Sequence, residues 1–198
     1  NGRSRGLGDV YKRQNINRYG LKDILKEIED VLHYGINTIA LFPVINPDKK
    51  DENGGEAVNE NNLISTAIKN IKKEFPEIIL IADVALDPYT SHGHDGLLIN
   101  GKIHNDKTLE VLVQQSLLQA EMGCDVIAPS DMMDGRIGLI RKSLDKKGFK
   151  DTKILSYAVK YASNFYGPFR DAVGSKNLLK GDKKTYQMDY KNKDECIR

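Results

Sequence analysis

Apolar positions recur along this chain at two spacings, and the two spacings alternate. Leu21, Ile24, Leu25, Ile28, Val31 and Leu32 follow a helical period, and Gly35 offers a stop, so the spacing predicts a helix there. The run INTIALFP comes next and reads as a buried strand. A polar loop, NPDKKDENGGEAVNEN, leads to a second helical face built from Leu63, Ile64, Ala67, Ile68 and Ile71 and ended by Pro76. EIILIADVAL reads as a second buried strand. The loop DPYTSHGHDG runs into a turn-rich pair around Asn100 and Gly101. A third helix through LEVLVQQSLLQAEM, capped by Asn105 or Asp106, stops at Gly123. CDVIAPSD gives a third strand, GRIGLIRKSLDKKG a fourth helix and KILSYAVK a fourth strand.

Strands alternating with helices predict right-handed βαβ units and a parallel sheet. The strands are apolar throughout, which fits a sheet covered on both faces or a barrel wall. They end in reactive groups: Asp83 and Asp87, then Ser130 and Asp131, then Lys160. Barrels and doubly wound sheets both place their chemistry at such C-terminal strand ends. No GxGxxG or GxxxxGKS loop is present, which weighs against nucleotide binding. Four strand–helix units are about half of the eight in a closed barrel. The expected fold class is therefore α/β, a partial (β/α)8 TIM barrel lacking the first and the later strands, in a truncated protein.

Composition narrows the partners. The chain has 198 residues, enough for one domain with a sizeable core. Charged residues make up 29% with a net charge of +2, so no one-signed field is available for nucleic acid or an anionic membrane. No apolar run is long enough to span a bilayer. Cys124 and Cys196 are far apart in sequence, so a reduced, cytoplasmic protein is expected, with Cys124 a core residue. Residues 1–14 are rich in Gly and Arg and lack a period; the expectation is a non-native tract, followed by one domain over 15–198.

Lys160 stands out from the other lysines, most of which sit in charged runs. Apolar neighbours Tyr157, Ala158, Val159, Tyr161, Ala162 and Phe165 surround it in sequence. An amine at a buried strand end is a Schiff-base candidate, because desolvation favours the neutral, nucleophilic form. The alternative is a lysine that merely snorkels from the strand end. Beyond it, a Gly/Pro/Ser-rich stretch over about 164–188 suits a lid. Arg170 and Lys183 there offer a bidentate and a point-charge partner for a carboxylate. Tyr166 and Phe169 are expected to pack beneath that lid or to touch substrate. Asp83 suits proton transfer and Ser130 the orientation of water or a Schiff-base nitrogen. Ser130 or Asp131 could equally cap the next helix.

The strings DVALDPYTSHGHDG, APSDMMDGR, SYAVKYASNFYGPFRDA and KGDKKTYQM, together with ALFPVINPDKKDENGGEA, resemble the porphobilinogen synthase (5-aminolevulinate dehydratase) family. The likeness runs from about Asn15 to Arg198, in order. It implies a (β/α)8 barrel that condenses two 5-aminolevulinate molecules to porphobilinogen, in tetrapyrrole biosynthesis, as a homo-octamer. It implies two active-site lysines, of which Lys160 matches the first; the second belongs to a later MVKPG-like strand. It implies that Arg170, Lys183 and Gln187 hold one substrate.

The likeness also bears on metals. Zinc-using members carry three cysteines at the positions of Ala85, Asp87 and Asp95. Carboxylates suit Mg2+ or a monovalent cation such as K+ better than zinc, so no catalytic zinc is expected. His92 and His94 are expected to hydrogen-bond within their loop. Glu195 matches the family's allosteric Mg2+ position, or is an ordinary glutamate in a first helical turn. Two other functions stay open: another Schiff-base aldolase or lyase, and a non-catalytic truncated fragment.

Overall fold

The computed structural model describes residues 17–172 and 182–198; the tract expected to be foreign, 1–14, lies outside them. The chain divides into two units, Asn1–Ile36 and Asn37–Arg198. The first carries helix α1, Leu21–His33. Gly35 ends it with φ +78°, and Ile36 N–H reaches back to the Val31 carbonyl at 3.2 Å. Such a closure needs the left-handed backbone that glycine adopts without a Cβ penalty.

The second unit is built on a parallel sheet in the order β1-β2-β5-β6. Its strands are β1 Thr38–Leu41, β2 Ile79–Val84, β5 Val126–Pro129 and β6 Lys153–Ile154. Helix α2, Leu63–Glu74, joins β1 to β2; α3, Asn105–Glu121, joins β2 to β5; α4, Arg136–Lys146, joins β5 to β6. This is a partial (β/α)8 barrel, as the strand–helix alternation predicts. The Asn100–Gly101 turn, with both φ positive, closes a small hairpin of β3, Leu98–Ile99, and β4, Lys102–Ile103.

Local chemistry explains the helices. Asn62 caps α2 by accepting the Ser65 N–H at 2.7 Å, and Ile64, Ala67, Ile68 and Ile71 form its buried face. The cap of α3 is neither Asn105 nor Asp106 but His104, whose Nδ1 accepts the Lys107 N–H at 3.3 Å. Any side-chain acceptor at the flanking position can take that orphan donor. Helix α4 starts after Gly135 with no side-chain cap, so neither Ser130 nor Asp131 caps it. Asp131 instead accepts the Met133 N–H at 2.8 Å within its own turn.

Two expectations about the strands are corrected. Burial on both faces holds for β5 but not for β2, where Leu80, Ala82 and Val84 are buried and Ile79 is 38% exposed. The fourth strand stops at Ile154, so Lys160 is not at its end but six residues farther on. Pro129 supplies the reason. Leu155 N–H bonds the Ile127 carbonyl, and in a parallel ladder the Leu155 carbonyl would next take the N–H of residue 129, which proline lacks. Cys124 is core as expected, its thiol donating to the Leu80 and Val126 carbonyls. Leu80→Ala is expected to cost about 2–5 kcal/mol in chemical denaturation, and Leu155→Ala, at a position 48% exposed, well under half of that.

Candidate active site

Three strand ends and the segments after Lys160 enclose a cavity of about 380 Å3. Phe42, Tyr157, Phe165, Tyr166 and Phe169 give it an aromatic side. Lys160, Arg170, Lys183, Asp87, Ser130 and Gln187 give it a polar one. Lys160 Nζ donates to the Ser130 carbonyl at 2.6 Å and lies 5.8 Å from the centre of the Tyr166 ring. Only some of the apolar sequence neighbours of Lys160 make its surroundings: Tyr157 and Phe165 line the cavity with Tyr166 and Phe169, Val159 and Tyr161 are exposed, and Phe42 alone of the aromatic wall comes from a distant part of the chain.

Ser130 Oγ donates to Asp83 Oδ1 at 2.6 Å. Burial pushes Asp83 up to about 7 against the pull of that hydrogen bond, with the Asp87 charge adding to the rise. Burial also pushes Asp131 up to about 7 although the Arg136 guanidinium opposes it. Arg170 lines the cavity, and among the described residues no carboxylate is within ion-pair distance of it. Gln187 is buried, and its Oε1 has no hydrogen-bond partner among the described residues. Phe169 meets Phe42 edge-on at 5.7 Å, whereas Phe165 is 92% exposed. Of the lid segment, residues 173–181 lie outside the described part.

The structure departs most from expectation at Lys183. Its ammonium is buried and paired with Asp87 at 3.3 Å and with Asp95 at 3.1 Å. The expected carboxylate anchor and the expected metal carboxylates are thus one ion cluster. Burial lowers the Lys183 pKa, but the two carboxylates outweigh it and raise it. Burial and the Asp95 charge lift Asp87 to about 6. For Asp95, burial pushes upward, and the Lys183 ammonium outweighs it to hold the carboxyl below its usual range.

The metal expectations can be tested on this donor set. Among the described residues no three Asp, Glu, His or Cys side chains converge on one point. Ala85 offers no donor, and Lys183 stands on both carboxylates, so Asp87 and Asp95 do not fit a multivalent ion. His92 and His94 serve their loop: His92 Nε2 meets the Glu52 carbonyl at 3.2 Å, and His92 Nδ1 accepts the His94 N–H. Glu195 sits in the first turn of a short terminal helix, Lys193–Ile197, its N–H donating to Asn192 Oδ1 and its Oε2 accepting from Asn192 Nδ2. That exposed carboxylate fits an ion held mostly through water.

Sequence reasoning missed Phe42, Tyr186 and Arg136. Tyr186 OH lies 3.0 Å from His94 Nδ1 and braces the loop carrying Asp95. Phe42 directly follows β1 and so occupies a C-terminal strand end, a signal available from the sequence.

An amine projecting into an aromatic cavity at the C-terminal strand ends of a partial β/α barrel places the chain in the class of β/α-barrel proteins with their site at that face. The family model for delta-aminolevulinic acid dehydratase matches residues 8–198, and the chain belongs to that family. It is 57% identical over 183 residues to the delta-aminolevulinic acid dehydratase of Bradyrhizobium diazoefficiens, covering 92% of this chain and 52% of the relative. With the Bacillus subtilis protein it shares 48% over 177 residues, 89% of this chain and 54% of the other. A crystal structure of the Toxoplasma gondii ME49 enzyme, in complex with the reaction product porphobilinogen, superposes with a TM-score of 0.90 at 47% identity. That match covers 93% of this chain and 53% of the other. The chain spans about half the length of the relatives it matches.

Two outcomes follow from the buried charges. Lys183→Met leaves two buried carboxylates without their counter-charge and is expected to lower stability by about 3–5 kcal/mol in denaturant titration, with Lys183→Met/Asp95→Asn recovering part of it. A carboxyl whose pKa rises on folding contributes stability that is complete below the free-aspartate value of about 3.9 and is lost as pH climbs through the raised value. Asp83, Asp131 and Asp87 act in that sense, through about 6 to 7, and Asp95 acts in the opposite one. Thermal melts between about pH 4 and 8 should therefore show a shallower decline for Asp83→Asn than for the parent. An identical slope would remove Asp83 from the balance.

Proposed function

We propose that this chain carries the first-lysine half of a porphobilinogen synthase site, in which Lys160 captures 5-aminolevulinate as an imine. The observation that carries the reading is the placement of the Lys160 amine in a cavity that also holds Arg170, a cation with no described carboxylate partner. The substrate offers the matching pair of groups, a ketone for the amine and a carboxylate for the guanidinium.

The chemistry follows from the geometry. The neutral amine adds to the ketone carbon to give a carbinolamine, which loses water to form the imine; one C–N bond forms and one C–O bond breaks. Asp83, at about 7, exchanges protons readily near neutral pH. It takes the proton shed by the amine and returns one to the departing hydroxyl. Ser130 orients Asp83 through its hydroxyl and receives the Lys160 ammonium on its carbonyl. Arg170 holds the carboxylate and Gln187 offers its unpartnered oxygen to the substrate. Tyr166 and Phe169 stand on the aromatic side that excludes water. Lys183 reaches a substrate carboxylate only by leaving Asp87 and Asp95, so in the state described it organises the wall.

The reading is zinc-independent. Support comes from the donors: no thiolate stands at residues 85, 87 and 95, and a lysine ammonium already pairs with both carboxylates. Mg2+ at Glu195 would act from the surface, as a regulatory ion, with K+ as the monovalent candidate. A homo-octamer, which the family likeness implies, in the cytoplasm, the compartment expected for two free thiols, completes the proposal. The near-neutral charge supports a reading without nucleic acid, and among the described residues no helix is long and apolar enough to cross a membrane.

Borohydride reduction in the presence of 5-aminolevulinate is expected to fix one substrate to Lys160, seen by peptide mass spectrometry. Lys160→Met should abolish the adduct. Labelling by a sugar phosphate in place of 5-aminolevulinate would overturn the assignment in favour of an aldolase.

A further inference from the structure

The segment that presents Lys160 has little of a sheet to hold it. The ladder ends at Ile154, and the sheet-side contacts of the next residues are Leu155 N–H to Ile127 and a long 3.4 Å bond from Tyr157 N–H to the Pro129 carbonyl. Beyond the amine, Met188 holds the segment by backbone bonds, its N–H donating to the Lys160 carbonyl at 3.0 Å and its carbonyl accepting the Ala162 N–H at 2.9 Å; before the amine, the grip comes from Arg136. Its Nη2 donates to the Tyr157 carbonyl at 2.8 Å, three residues before the amine. Its Nη1 donates to the Met133 carbonyl at 3.2 Å, and its Nε lies 3.4 Å from Asp131 Oδ1. Both Arg136 and Asp131 are buried, and Asp131 is fixed in turn by the Met133 N–H.

We propose that Arg136 is a positioning residue for Lys160: seated on Asp131, its guanidinium clamps the Tyr157 carbonyl and sets the reach of the amine. The clamp stands two residues beyond Leu155, whose carbonyl lost its ladder bond to Pro129. It ties the Lys160 segment to the turn after β5, whose Ser130 carbonyl receives the same amine. A planar fork is required, because one head group must serve Asp131, Met133 and Tyr157 at once; a lysine at this position can satisfy one of them. The effect on imine formation rests on the Schiff-base reading above, whereas the clamp itself is a property of the fold.

Arg136→Lys in the 198-residue chain separates the two. It keeps a charge opposite Asp131 and loses the bond to Tyr157. Amide exchange is expected to rise in the peptide spanning residues 155–162 and stay unchanged in β5. Borohydride-trapped adduct at Lys160 should form at least about ten-fold more slowly, with substrate concentration for half-saturation little changed, as expected of a misplaced reacting group. Unchanged exchange together with parental trapping rates would overturn the proposal. If the parent chain forms no adduct, the Schiff-base reading falls and the exchange comparison still decides the clamp. If Arg136→Lys does not fold, Asp131→Asn, which removes the charged seat and keeps an acceptor for Met133, is judged by the same two readouts.

Discussion

A buried ammonium between two carboxylates organises the site. Lys183 lies 96 residues from Asp87 and 88 from Asp95 along the chain, yet their charged atoms are within 3.3 Å. None of the three could be buried alone at neutral pH without neutralising. Together they hold the segment after residue 182 against the loop that follows β2, and so close one wall of the cavity. Tyr186, four residues from Asp182, adds a neutral bond to His94 on the same loop.

The opposite wall follows a different rule. There the backbone has left the sheet, because proline at the end of β5 cannot extend the ladder. Lys160 is therefore carried by a segment held through side chains and one isolated bridge to Met188. Lys160 reaches the Ser130 carbonyl, Ser130 reaches Asp83, and Arg136 reaches Tyr157. A reactive amine held by a few directional bonds can be set finely. It is also sensitive to any one of them, because no regular ladder shares the constraint.

Electrostatics at the two walls differ in the same way. Near Lys183 one ammonium faces two carboxylates, and the carboxylates divide, one raised and one lowered. Near Lys160, Asp83 is desolvated and, among the described residues, its carboxylate is hydrogen-bonded to a neutral hydroxyl, which leaves it able to exchange protons near neutrality. Two aspartates that differ little in sequence context therefore suit different tasks.

Local patterns in the sequence determined the elements. The period of Ile64, Ala67, Ile68 and Ile71 gave α2 its buried face, Gly35 and Gly123 stopped their helices, and Asn100–Gly101 turned the hairpin, because each of these depends on neighbours within a few residues. The strand-end positions of Asp83 and Ser130 were legible for the same reason. Tertiary structure alone decided that Lys183 pairs with Asp87 and Asp95, that Arg136 reaches Tyr157, and that Phe42 joins the aromatic wall around Lys160. Those contacts join residues far apart in the chain, and burial, which no residue type reveals by itself, fixes which charges must meet.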